Sequence, residues 1–174
     1  MIQLVFAHNE LNFGSADGMP WPHISQDFKN FKMRTENTTL VMGAKTFASL
    51  PNKLLGRKHI VLCDLYRNAP TTQAGTFADA YLPINERYAY LEKWKNSDNV
   101  YSVIGGVDLL ETALGFASKV IRTKINTSLS KPVTQVLPEE FLKRVYKFGE
   151  LKESHMYQIN DHTQIIEEII FRKQ

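Results

Sequence analysis

Asp27, Phe31 and Thr35 recur at intervals of four, with Ile24 and Phe28 beside them, so a helix through this stretch sets one carboxylate at the edge of an apolar stripe. Desolvation raises the pKa of such a carboxyl, and a ligand with adjacent N–H and amino groups supplies two hydrogen bonds to its ionised form. An aspartate in a first helical turn equally suits the helix dipole in full contact with water. The segment ahead of it, Gly14-Ser-Ala-Asp-Gly-Met-Pro-Trp21, is free at its glycines and stiff at Pro20 and Trp21. That composition fits a mobile loop over an active site, or a surface turn anchored by Trp21.

Two further segments have the form of anion cradles. Gly43-Ala-Lys-Thr46 follows an apolar run and opens a helix, which aims backbone N–H groups and the Lys45 ammonium at one place. Val103-Ile-Gly-Gly106 repeats the arrangement, with two glycines that let backbone approach a dinucleotide pyrophosphate. Neither carries the P-loop or the G-x-G-x-x-G fingerprint, so tight strand-to-helix turns explain each one equally well. In Leu54-Leu-Gly-Arg57 a guanidinium precedes the next apolar run, placed to grip a carboxylate or to form a surface salt bridge.

These residues must be positioned by the elements around them. Short apolar runs at Ile2 to Ala7, Thr38 to Met42, His59 to Cys63, Tyr101 to Ile104 and Val120 to Ile125 read as strands, and several lack alternation, as strands covered on both faces do. Helical patterns at Ser25 to Thr35, Ala44 to Leu50, Ile84 to Lys95 and Asp108 to Leu114 alternate with them. The expected class is therefore α/β, with a doubly wound, mostly parallel central sheet. After Pro138 the pattern changes: runs at Val145 to Lys152, His155 to Ile159 and Ile165 to Phe171, with an Asn160-Asp161-His162 turn, predict a C-terminal antiparallel hairpin. Tyr66 to Ala80 reads as an irregular excursion with no chemistry attached.

At 174 residues, 43% hydrophobic and 22% charged, the chain suits a single domain over 1–174 that can bury a core and a ligand cleft. The net charge of +3 comes from scattered cations rather than a stripe, which argues against nucleic acid and for small anionic ligands. No apolar run reaches membrane-span length and no basic leader precedes a signal core, so no membrane association and a cytoplasmic location are expected. Cys63 is the single cysteine, and no Cys/His cluster has zinc spacing, so neither disulfide nor metal is expected.

Taken in order, Met-Pro-Trp, the Asp27/Phe31/Thr35 helix, Met-Gly-x-Lys-Thr, Leu-x-Gly-Arg-Lys and Val-Ile-Gly-Gly resemble the dihydrofolate reductase family. The resemblance runs from residue 2 to about 64 and from about 100 to 138, and holds only in outline elsewhere. It implies hydride transfer from NADPH to dihydrofolate. It makes Asp27 the carboxylate that binds the pterin N3 and 2-amino group and promotes protonation at N5. Val5, Ala7 and Ile104 would line the pterin, Phe28, Phe31, Leu50 and Leu54 the aminobenzoyl portion, and Arg57 would hold the glutamate α-carboxylate. Thr123 would bond Asp27. On the cofactor side it implies Gly43, Lys45, Thr46, Cys63 and Asp64 for the adenosine half, and Ile104, Gly105, Gly106 and Val107 for nicotinamide and pyrophosphate. Ala7 and the loop carrying Gly14, Asp17, Gly18 and Met19 would complete the cofactor site by closing over it.

Three departures stand out. Ala44 replaces an arginine and Asp64 a serine common among bacterial members, which weakens the 2′-phosphate site; Lys45 and Arg67 are the cations left to supply charge there. Leu110 replaces a tyrosine near the nicotinamide. The Ala-Lys-Thr-Phe, Cys-Asp-Leu and Gly-Gly-x-x-Leu-Leu variants resemble the reductases of T-even-type bacteriophages, which would place the protein in host cytoplasm, in thymidylate supply. A monomer or weak homodimer is expected, with association to a phage particle or a thymidylate-synthesis complex as a further partner role. The rival readings are a riboflavin-pathway reductase, which should lack the Asp27–Phe31 helix together with Arg57, and a folate-binding structural protein of the same fold.

Overall fold

The computed structural model describes residues 1–174. In chain order it forms β1 (Ile2–His8), β2 (Asn12–Gly14), α1 (Ser25–Arg34), β3 (Thr39–Gly43), α2 (Ala44–Ser49), β4 (His59–Cys63) and β5 (Ala80–Pro83). A 3-10 turn (Ile84–Glu86) leads into α3 (Arg87–Lys95), followed by β6 (Tyr101–Gly105), α4 (Val107–Leu114), β7 (Lys119–Asn126) and β8 (Gln135–Val136). The chain ends in α5 (Glu139–Phe148), β9 (Gly149–Asn160) and β10 (Thr163–Arg172). The architecture is the expected α/β one, mostly parallel in its central strands and antiparallel at the C-terminal end. No helix is long and apolar enough to cross a membrane.

Two compact units divide the residues. The first comprises Met1–Gln3 and Thr35–Ala117, with strand order β5-β4-β3-β6 and parallel pairing of β3 with β4, β3 with β6 and β4 with β5. Leu40, Val41 and Met42 are all buried, as are Val61 and Leu62, which is why these strands read as unbroken apolar runs rather than as alternation. Phe47 of α2 and Leu109, Leu110, Ala113 and Leu114 of α4 supply the helical side of this core. Leu110, standing at the expected tyrosine position, is fully buried. Within the excursion before β5, the Gln73 N–H donates to the Leu50 carbonyl (2.9 Å) and the Tyr81 hydroxyl to that of Pro70 (2.7 Å), so the segment is tied down by its own polar groups.

The second unit comprises Leu4–Arg34 and Ser118–Gln174, with strand order β1-β7-β10-β9 and β10 antiparallel to both neighbours. Along β10 alternate residues Thr163, Ile165, Glu167 and Ile169 are buried, the period-two pattern of a strand with one covered face. Trp21, Ile24, Ile125 and Ile165 form one cluster there, with Ala7 and Tyr157 packed against it.

The C-terminal region differs from its reading. Residues 145–148, expected to open a strand-like run, close α5, whose Phe141 and Val145 are buried one turn apart. Pro138 precedes it and Glu139 and Glu140 sit in its first turn, where a missing N–H and negative charge are both favourable. β9 then runs unbroken through 149–160 instead of as separate pieces, and the two-stranded β2-β8 sheet was not anticipated.

Candidate active site

In the second unit, α1 buries Asp27 and Asn30 and leaves Phe28 and Phe31 half-buried. Burial is the first cause that pushes the Asp27 carboxyl up to about 6, and the negative charge of Glu167 adds to it. No protein hydrogen bond offsets either, so the bond from Thr123 that the resemblance implied is not made. Thr123 is nonetheless buried on β7, directly opposite Glu167 in the β7–β10 register. Glu167 is held by Arg34, whose Nε and Nη2 donate at 3.2 and 2.8 Å. Val5 is buried on β1 and Ala7 half-buried.

The loop before α1 is fastened within the same unit. The Ser15 N–H donates to Gly18, which has φ +141°, and the Thr134 N–H to Gly14, both at 2.8 Å. Ser130 and Lys131 donate their backbone N–H groups to the Pro20 carbonyl, and the Lys131 ammonium lies 3.2 Å from the Asp17 carboxylate, holding its pKa down. Met19 is exposed.

In the first unit, Gly43 and Gly106 cap α2 and α4, and neither helix start has a side-chain cap. The first-turn N–H groups there meet no capping side chain, the condition under which a helix start receives an anion. The two turns adjoin: a Cβ on Gly43 would lie 3.6 Å from the Gly106 nitrogen. The Gly105–Gly106 peptide is cis, and Gly105 has φ +151°, which favours glycine. Lys45 is exposed at the α2 start, with Thr46 and Ala44 half-buried. At the end of β4 Cys63 is buried, its thiol pushed up by desolvation and then by Asp64. Asp64 pairs with Arg67 at 3.5 Å on the exposed surface, so Arg67 already has an anionic partner and is not an uncommitted cation for a 2′-phosphate.

Also in the first unit, Arg57 donates from Nε to the Thr35 hydroxyl (3.0 Å) and from Nη1 to the Leu55 carbonyl (2.6 Å), while Leu50 and Leu54 are half-buried. Two residues to which the sequence reading gave no chemical role stand out, one in each unit. In the second, Glu167 acts on the Asp27 carboxyl by its charge, and in the first, His59, read only as a strand start, bonds both Leu54 and Arg57. The alternation Ile165-Glu167-Ile169 was the available signal for a buried carboxylate.

Comparison with known proteins gives the same answer as the residues. The family model for dihydrofolate reductase matches residues 1–165. Dihydrofolate reductase type A10 of Escherichia coli is 32% identical over 150 residues, covering 83% of this chain and 76% of that protein. Type 9 from the same organism is 33% identical over 125 residues (71% and 70%), and the Neisseria gonorrhoeae dihydrofolate reductase 32% over 120 (68% of each). The fold of an Enterococcus faecalis dihydrofolate reductase, complexed with NADP(H) and RAB-propyl, covers 100% of this chain and 97% of its own with a TM-score of 0.77 at 22% identity. The first unit carries a parallel sheet with two helices that start at glycines, the second a buried carboxylate, and the matched proteins are reductases. The chain belongs to the dihydrofolate reductase family.

Proposed function

We infer that the protein reduces 7,8-dihydrofolate to tetrahydrofolate with NADPH, supporting one-carbon metabolism and thymidylate synthesis. The observation that carries this reading is Asp27: a buried carboxyl, raised to about 6, without an internal hydrogen bond, on a helix whose Phe28 and Phe31 are half-buried. A charge in that setting needs donors from a ligand, and the pterin N3–H and 2-amino group supply two.

The chain's groups divide the work. Asp27 accepts those two bonds, fixes the ring, and holds negative charge that favours a proton at N5. Val5, Ala7, Ile104 and Thr123 line the pterin, Phe28, Phe31, Leu50 and Leu54 the aminobenzoyl group, and Arg57 binds the glutamate α-carboxylate. Gly43, Lys45, Thr46, Cys63 and Asp64 would hold the adenosine half of NADPH, and Ile104, Gly105, Gly106 and Val107 its nicotinamide and pyrophosphate. The adjoining helix starts, which no side chain caps, fit such a group. When bound, NADPH supplies the hydride that pterin C6 receives. Ala7, Gly14, Asp17, Gly18 and Met19 exclude water from the reacting centres.

The phage-type variants at Ala44 to Phe47, Cys63 to Leu65 and Leu109-Leu110 support a phage origin and work in the host cytoplasm, although the relatives described above are bacterial. A monomer or weak homodimer is the proposed state.

The deciding experiment follows NADPH absorbance with purified protein and dihydrofolate, beside NADH and beside Asp27→Asn. Oxidation that the variant loses supports the reading. A folded, NADPH-binding protein that oxidises nothing overturns it in favour of the riboflavin-pathway substrate or a structural role.

A further inference from the structure

His59 bonds both ends of the short loop that carries Leu54 and Arg57. Its Nε2 accepts the Leu54 N–H at 3.0 Å, so that nitrogen carries no proton. The neutral ring then keeps its proton on Nδ1, which donates to the Arg57 carbonyl at 3.1 Å. The ring is fully buried, and the edge of Phe47 packs against it with centroids 6.2 Å apart. Its backbone N–H donates to Asp79 at 2.7 Å, and Asp79 in turn pairs with Lys53 at 3.1 Å, which joins a third residue of the same loop to the bracket. Gly56, at φ +76°, makes the turn between the two bonded ends.

We propose that His59 is a positioning residue for substrate: by spanning Leu54 and Arg57 it holds the Arg57 guanidinium and the Leu54 side chain where a glutamylated substrate needs them. The proposal rests on the reading of Arg57 as the carboxylate site. A backbone bonded at both ends cannot swing its side chains independently, so the guanidinium, bonded to Thr35 at 3.0 Å, is preset before substrate arrives. The energetic consequence falls on ground-state binding of the tail, and not on the hydride step.

The test compares dihydrofolate with 6-methyl-7,8-dihydropterin, which has the ring but neither aminobenzoyl group nor glutamate. His59→Leu removes both bonds; His59→Gln restores an acceptor for the Leu54 N–H. His59→Leu should raise the KM for dihydrofolate about tenfold, the loss expected when a charge-assisted contact is misaligned. The KM for NADPH and the kcat on the short substrate should change less than about twofold, and His59→Gln should recover part of the loss. Arg57→Leu sets the scale, and adding His59→Leu to it should raise the dihydrofolate KM little further, because coupled residues are not additive. Equal losses on both substrates and on NADPH would mean that His59 only supports the fold, and would overturn the proposal. Additive effects of the two substitutions would also overturn it, leaving the Arg57 reading intact. An Arg57→Leu protein with unchanged KM for dihydrofolate would overturn both.

Discussion

Arg34 grips Glu167 through two nitrogens, at 2.8 and 3.2 Å, and stands seven residues, two helical turns, after Asp27 on the same face of α1. The residue that neutralises Glu167 thus belongs to the element that carries the carboxyl Glu167 acts on. Glu153 lies 3.7 Å from the same guanidinium, and the Tyr157 hydroxyl and Lys119 share its surroundings. Glu167→Gln removes the second cause of the raised Asp27 pKa and leaves Arg34 less neutralised, and both changes favour the Asp27 anion. The apparent pKa read from the pH profile of hydride transfer should therefore fall below about 6, while burial keeps it above 3.8. Losing one partner of the pair should also cost about 2 kcal/mol in urea unfolding, a figure reduced for the part of Arg34 that reaches water. An unmoved profile in a folded variant would remove Glu167 from the tuning of Asp27.

Gly149, between α5 and β9, tests packing in the second unit away from the carboxylate. Its φ of −167° is extended and suits any residue, so conformation is not what requires glycine here. The requirement is space: a Cβ would sit 1.7 Å from the Phe171 carbonyl oxygen and 2.5 Å from its carbon. Backbone of β10 cannot yield without breaking the register that pairs Arg172 with Gly149. Gly149→Ala should cost about 3 kcal/mol, read as a lower Tm, while the fraction that folds keeps its KM for both substrates. A Tm within a degree or two of the parent would show that the junction relaxes.

Lys45 stands exposed at the start of α2, and Arg67 is paired with Asp64, so Lys45 is the cation left to favour a 2′-phosphate near Ala44. Lys45→Glu should raise the KM for NADPH by about tenfold or more and that for NADH far less. Equal changes in the two would show that Lys45 does not read the 2′-phosphate.

What was legible in the sequence was local. The apolar run at His59 to Cys63 is β4 as read, and the helix from Ser25 ends one residue early, at Arg34, because each signal is complete within a few turns or one strand length. β5 escaped because it is short, half-buried and ends in Pro83, as an edge strand that needs no donor on its open side can. α5 was hidden by the strand-like residues that follow it. The spacing of Asp27, Phe31 and Thr35 set one carboxylate at the edge of an apolar stripe, and Asp27 is buried as that reading required. Glu167 did not, because its burial depends on Arg34, 133 residues away, and no window along the chain contains both. His59 was invisible for a different reason: a histidine opening an apolar run reads as strand, and only the tertiary turn at Gly56 brings Leu54 to its ring.

Asp27 and His8, both in the second unit, should tilt stability with pH in opposite directions. Asp27 titrates near 6 instead of 3.8, so between those values the folded chain holds a proton that the unfolded one has lost, and stability falls as pH rises. His8 is pushed down from 6.5 to about 4, first by burial and then by Arg122 and Lys124 against the opposing Glu10 carbonyl bond and Glu168. Its Nε2 has no partner. Between about 4 and 6.5 the unfolded chain holds the proton that the folded one refuses, so stability rises with pH. At about 1.4 kcal/mol per pH unit each effect is worth roughly 3 kcal/mol, and across pH 4 to 6 they nearly cancel. Urea unfolding of the parent should therefore show no net slope from these two groups over that window. Asp27→Asn removes the falling contribution, so the variant should gain up to about 3 kcal/mol relative to the parent at pH 7, with the gain fading toward pH 4. His8→Phe removes the rising one and should become less stable as pH climbs from 4 to 6. Parallel pH dependences in all three proteins would mean that neither burial shifts its group as described. Opposite tilts would establish that the carboxyl reserved for the ligand costs stability at neutral pH, whereas the buried histidine costs it only in acid.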